Sequence, residues 1–132
     1  LGLNDMVYFH DVLSLEEVAE QMAESDLGVV PKRKDSFGNE AFSTKIFEFM
    51  ALGVPVVISD TAIDKYYFND TLVKFFSSGD EKALADSILM LAENKDVRER
   101  LVANASEYIQ SNSWEVKKHE YLAIINNLKN AD

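Results

Sequence analysis

The sequence predicts an α/β domain with a Rossmann-like parallel sheet flanked by helices. Short β-prone runs alternate with amphipathic segments of helical length along the chain. Each return to a parallel neighbour requires a crossover, which a helix usually supplies. One run, Pro55-Val56-Val57-Ile58-Ser59, is almost continuously β-branched, as in strands covered on both faces. The 132 residues, 47% of them apolar, suffice for one core and are too few for two ordinary domains.

The elements follow in order. Met6-Val7-Tyr8-Phe9 is a short β-prone run and is expected to be a strand. Ser14-Leu15-Glu16-Glu17 reads as a capping box, after which Leu15, Val18, Ala19 and Met22 recur at helical spacing. Leu27-Gly28-Val29-Val30, ended by Pro31, is a second, buried strand. Residues 32–42 lack periodicity and carry Asp35, Ser36, Gly38 and Asn39, so a loop is expected there. In open α/β sheets, ligand loops sit at the carboxyl ends of strands.

Ser43 to Leu52 is helical by propensity and stops at Gly53 with Pro55 close behind, the pattern of a glycine C-cap. Its neighbour Pro55–Ser59 is the expected central parallel strand. A helical or turn segment follows around Ala62 to Tyr67, then a weaker strand, Leu72–Phe76, whose Lys74 suits a sheet edge. Ser78-Gly79-Asp80 turns the chain. Helices are then expected to about Asn94, to about Gln110, and from Trp114 to Lys129, the last with Trp114, Tyr121, Ile124, Ile125 and Leu128 on one stripe. No strand pattern precedes Leu1-Gly2-Leu3, so part of the sheet is expected to lie outside this chain.

Composition narrows the function. A net charge of -10 opposes the counterion release that drives nucleic-acid binding and the attraction to anionic lipid. Lys32-Arg33-Lys34 interrupts this acidity and reads first as a solvated turn, with an anion site as the minor alternative. With no cysteine in the chain, disulfides, thiolate metal sites and cysteine nucleophiles are excluded. A cytoplasmic setting is expected, since no apolar stretch approaches the ~20 residues of a membrane span and no signal-peptide pattern is present. His10 and His119 read as loop and surface-helix residues. Tyr66, Tyr67 and Phe68 read as packing rather than an acceptor groove.

The informative stretch is Phe37 to Gly53. If a helix begins near Ser43, its free N–H groups and positive dipole end offer an anion site. Ser43 and Thr44 add hydroxyls, and Lys45 adds a point charge. The helix is apolar nearly all round, so Glu48 is expected to be buried, either paired with Lys45 or accepting from vicinal hydroxyls such as a ribose diol. Glu40, in the loop, is by default a solvated residue. The spacing of Glu40 and Glu48, with residues 41–47 between them, lets the two carboxylates flank the helix start.

Glu40, Glu48, the run Met50-Ala51-Leu52-Gly53-Val54-Pro55-Val56-Val57 and then Ser59-Asp60 together resemble the retaining glycosyltransferases with two facing Rossmann-like domains, the GT-B group 1 (family 4) enzymes. Leu1-Gly2-Leu3 with Val7-Tyr8-Phe9, Ala23 to Pro31, Ser78-Gly79-Asp80 and Ser113-Trp114 fall in the family's order, so the resemblance spans nearly the whole chain. It implies that residues 1–132 are a partial C-terminal domain binding a nucleotide-diphosphate sugar without metal or other cofactor. The acceptor, a glycan, lipid or small molecule, would be held by an N-terminal domain absent here. Such a chain would be inactive alone, and the full protein could sit peripherally at the inner face of a membrane.

The resemblance further implies that Glu48 holds the ribose. Glu40 is then the catalytic residue, contacting the donor sugar, while main-chain N–H groups of Phe42, Ser43 and Thr44 face phosphate and sugar, with Lys45 beside them. Transfer would retain the anomeric configuration, the pocket stabilising the departing diphosphate electrostatically. The chain departs from the family at His10-Asp11, where glycine is usual, and at Thr61-Ala62, where a Gly-Gly pair is usual. The family's diphosphate-clamping Arg and Lys lie upstream of Leu1. The competing readings are a nucleotide-sugar epimerase of similar architecture and a non-catalytic α/β interaction module.

Overall fold

The structure is a computed structural model that describes residues 2–3 and 5–129; Leu1 of the opening motif lies outside them. Among the described residues a three-stranded parallel sheet runs in the order β1 (Gly28–Val30), β2 (Val56–Ser59), β3 (Lys74–Phe76). Gly28 pairs with Val56, and Val57 pairs with Lys74. The helices are α1 (Leu15–Ala23), α2 (Ser36–Glu40), α3 (Thr44–Ala51), α4 (Ala62–Tyr67), α5 (Glu81–Glu93), α6 (Lys95–Asn112) and α7 (Trp114–Lys129).

β2 is the central strand, as its β-branched run predicts, and all four of its residues are buried. Side chains alternate across a strand, so Val56 and Ile58 join one core with Val30, Ile46, Met50 and Phe68. Val57 joins the opposite core with Phe76, Leu91 and Leu101. α3 covers the first face and α5 the second, while Leu101 and Ala105 bring α6 to both. α3 ends at Gly53, whose φ of 74° lies in the left-handed region that glycine adopts without penalty.

Local capping fixes several boundaries. Ser14 and Glu17 form the reciprocal capping box at α1. Asp80 caps α5 by accepting from the Ala83 N–H, just after the turn at Gly79 with φ 84°.

Two expectations fail here. Met6–Phe9 forms no strand and stays exposed, with Phe9 94% accessible. Strand propensity is realised only against a neighbour, and none is present for this segment among the described residues. Residues 32–42 are not loop throughout, because Asp35 caps the short α2 by accepting from the Gly38 N–H at 2.7 Å.

α7 spans the predicted residues but buries none of them. Trp114, on the stripe expected from the sequence, is 62% exposed and, among the described residues, meets only the Tyr121 ring, at 5.8 Å. No helix among the described residues is long and apolar enough to cross a membrane.

Candidate functional site

The carboxyl ends of the three strands are tied into one rim by side chains. The Lys32 N–H donates to Ser59 Oγ at 2.7 Å, and Ser78 Oγ donates to the Lys32 carbonyl at 2.7 Å. Asp60 accepts from the Ser78 N–H at 3.0 Å and from Lys65 and Lys34 at 3.2 and 3.4 Å. The Ser78 N–H, more than the two lysines, holds the Asp60 carboxyl below its ordinary range, against the opposing effect of burial.

A depressed carboxylate pKa stabilises the fold above the ordinary carboxylate range, and that contribution is lost as pH falls through the folded-state value. The urea midpoint of wild type should therefore exceed that of Asp60→Asn at neutral pH. The gap should close below about pH 4; a gap constant from pH 7 to 3 would show that the charge is not what Asp60 contributes.

The rim carries the segment singled out in the sequence. α2 is packed against the preceding turn so closely that a side chain on Gly38 would meet the Arg33 carbonyl at 1.8 Å. Ala41 ends α2, its N–H donating to the Phe37 carbonyl at 2.8 Å. The chain is then extended through Ser43, the N-cap of α3, which makes no side-chain capping bond. Among the described residues, the N–H groups of Phe42, Ser43, Thr44 and Lys45 donate to no protein acceptor. Four unengaged donors at a helix start, with the helix dipole behind them, are suited to an anion.

Ile46 and Met50 turn inward and are 0% and 2% exposed. Glu48 stands two residues from each of them, roughly 200° around the helix, and is therefore exposed. This corrects the expectation that Glu48 is buried, and among the described residues no ion pair joins it to Lys45. Glu48 lines two grooves, one of about 290 Å³ with Phe47, Ile109 and Ser113, the other of about 380 Å³ with Val18 and Met22 of α1. Glu40, exposed at the end of α2, lines neither. The structure thus gathers Phe42, Ser43, Thr44 and Lys45 at one helix start, with Glu48 one turn on, and leaves Glu40 apart from the grooves of Glu48.

Phe42 seats its ring on Tyr67 at 4.9 Å, edge to face, and on Phe47 at 5.2 Å. Phe68 is buried against Phe47 and Tyr108. The packing reading therefore fits Phe68 and Tyr67, whereas Tyr66 is 80% exposed. His10 and His119 are exposed, on coil and helix.

Lys32 entered the sequence reading only through the lesser, anion-site alternative for Lys32-Arg33-Lys34. Instead of standing in a solvated turn, its side chain is 13% exposed and its ammonium meets Asp64 Oδ1 at 2.7 Å. It also donates to the Ala41 carbonyl at 2.9 Å. Asp64 is wholly buried, and its second oxygen accepts from Thr61 Oγ1 at 2.5 Å. Thr61, one of the departures from the family pattern, is thus the N-cap of α4. The Thr61-x-x-Asp64 spacing is a helix-start signal available in the sequence; the partnership with Lys32 is not.

The family of glycosyl transferases group 1 matches residues 1–108. A phosphatidyl-myo-inositol mannosyltransferase of Mycobacterium leprae (strain TN) is 32% identical over 124 residues, 93% of this chain and 32% of that protein. A D-inositol 3-phosphate glycosyltransferase of Streptomyces griseus subsp. griseus is 29% identical over 116 residues, 87% of this chain and 24% of that protein. The chain therefore spans about a third or less of these curated relatives. The fold is that of a sucrose-phosphate synthase from Thermosynechococcus elongatus, with a TM-score of 0.83 over 98% of this chain and 32% of that one, at 21% identity.

Proposed function

This chain belongs to the glycosyl transferases group 1, and from that premise we propose that it is the donor-binding part of an enzyme that moves a sugar from a nucleoside diphosphate to an acceptor. The observation that carries this reading is the row of four unengaged N–H groups, Phe42 to Lys45, opening the helix that bears Glu48.

In this reading the diphosphate rests on the start of α3. Charge-assisted hydrogen bonds from backbone N–H groups are stronger than neutral ones, and a preorganised set of donors stabilises a leaving group without reorganising during the reaction. Lys45, exposed in the first turn, adds a positive charge. Glu48, solvated and at the edge of a groove, accepts from the two ribose hydroxyls. Glu40 turns toward the donor sugar and is the catalytic residue. The chain supplies no nucleophile, and transfer retains the anomeric configuration. No metal is required, because the N–H groups and Lys45 oppose the diphosphate charge.

The acceptor belongs to the longer protein. Both curated relatives are named for inositol compounds, which makes inositol-bearing acceptors the first to assay. The acidic surface, with a net charge of -10, gives this chain little attraction to anionic lipid.

Titration calorimetry of UDP, GDP and ADP, each beside its 2′-deoxy form, tests the reading. One of the three ribonucleotides should bind more tightly than its deoxy form. Glu48→Ala should weaken it by roughly 10- to 100-fold, as expected for hydrogen bonds to a charged group, and should abolish the ribose preference. Glu40→Gln should leave nucleotide affinity in place and lower turnover in the protein that carries this chain. Unchanged ribonucleotide affinity in Glu48→Ala would remove the assignment.

A further inference from the structure

The donor loop between α2 and α3 is held from beneath by a charged side chain that no sequence motif marks. Lys32 follows β1, and Asp64 lies in α4 on the other side of β2 in sequence. Their side chains meet at 2.7 Å with 13% and 0% exposure. Thr61 fixes the far oxygen of Asp64 at 2.5 Å. The carboxylate is therefore engaged at both oxygens, and the ammonium spends a second donor on the Ala41 carbonyl at 2.9 Å.

That carbonyl belongs to the peptide joining Ala41 to Phe42. The chain contains no cis peptide among the described residues, and in a planar trans peptide the C=O and the N–H point in opposite directions. Drawing the Ala41 oxygen toward Lys32 consequently aims the Phe42 N–H away from the Lys32 ammonium, as the first of the four unengaged donors. The loop is held at other points as well. The Phe42 ring is seated among Phe47, Tyr67 and Phe68, and Asn39 Oδ1 accepts from the Ala62 N–H at 3.1 Å. Lys32 is the contact that acts on the peptide plane itself.

We propose that Lys32, anchored by Asp64 and Thr61, is a positioning residue that orients the Phe42 N–H toward the diphosphate. This rests on the donor-binding reading above and adds to it a part of the loop's machinery that touches no substrate atom. Lys32 is not itself a phosphate ligand, since its ammonium is turned inward onto Asp64 and Ala41.

The test uses Lys32→Met/Asp64→Asn in the protein that carries this chain. Removing both charges avoids stranding either one in the interior. The amide introduced in place of the Asp64 carboxylate keeps an acceptor for Thr61, while the Ala41 carbonyl loses its donor. Affinities for UDP, GDP and ADP are compared with those for the corresponding nucleosides, and the amide proton and nitrogen NMR shifts of residues 41–44 are followed. The double variant is expected to lose roughly tenfold or more in diphosphate affinity, the size of one charge-assisted hydrogen bond. Nucleoside affinity should stay within about twofold, since the ribose and base contacts are untouched. The Phe42 amide resonance, in the peptide whose carbonyl loses its donor, should shift while those of β2 stay in place.

Diphosphate affinity unchanged in the folded double variant would overturn the positioning role. An unchanged Phe42 amide shift in the ligand-free double variant would overturn it independently of any ligand. Wild type binding none of the three diphosphates would instead remove the donor reading, and the role assigned to Lys32 with it. Thr61→Val keeps the ion pair but removes both its anchoring and the α4 cap, so a smaller loss of diphosphate affinity in the same direction is expected. Should the double variant not fold, that loss decides the matter, and its absence counts against the proposal.

Discussion

Lys32→Met alone is expected to lower stability by about 3–5 kcal/mol, because it strands the Asp64 carboxylate in the interior. Asp64 is 0% exposed and has two partners for its charge, the Lys32 ammonium and the Thr61 hydroxyl. Removing Lys32 leaves a hydroxyl as the remaining partner, which cannot offset the desolvation of a carboxylate. Asp64→Asn should cost less, since Lys32 retains 13% exposure and the Ala41 carbonyl. In Lys32→Met/Asp64→Asn most of the loss should return, giving a coupling energy at or above the upper end of the range of about 0.5–3 kcal/mol typical of contacting pairs. Urea unfolding of the four proteins measures this directly. Additive losses would mean that the two side chains do not share their burial.

Ile46→Ala is expected to cost about 2–5 kcal/mol, the range for truncating a fully buried aliphatic side chain. Ile46 is 0% exposed and holds the first turn of α3 onto the core formed by Val30, Val56 and Ile58. Its immediate neighbour Lys45 points outward, is exposed and makes no ion pair among the described residues, so Lys45→Ala should change stability by no more than about 0.5 kcal/mol. Thermal or urea denaturation of the two single variants separates the faces of one helical turn. Equal losses would show that the register assigned to α3 is wrong. Because Ile46 seats the helix whose free amides form the candidate site, Ile46→Ala should also weaken nucleotide binding, whereas Glu48→Ala should weaken it without lowering the midpoint.

Much of the candidate site was legible in the residues. Gly53 and Pro55 set the end of α3, and the extended Ser43 sets its beginning, so the helix start falls shortly after Glu40 and one turn ahead of Glu48. The exposure of Glu48 was legible too, although the reading given to it was burial. Counting apolar neighbours made the helix look apolar all round. Its spacing from Ile46 and Met50 puts Glu48 on the opposite face, which is what the structure has.

Other features were not legible because they depend on partners remote in sequence. Met6–Phe9 has the composition of a strand, but a strand exists only as half of a pair. Lys32-Arg33-Lys34 looks like a solvated charge run, and nothing local distinguishes Lys32, whose partner is thirty-two positions away. The short α2 hides in a run of turn residues because Asp35 and Asn39 can serve a helix cap or a loop equally well.

By itself the sequence determined the alternation of strand and helix, the central place of Val56–Ser59 and the position of the α3 amino end. These follow from periodicity, β-branching and capping, which act between residues close in the chain. Tertiary structure alone decided that Asp64 is a buried carboxylate and which lysine is structural, Lys32 rather than Lys45. Those choices depend on desolvation and on pairing across the sheet, which only packing brings about.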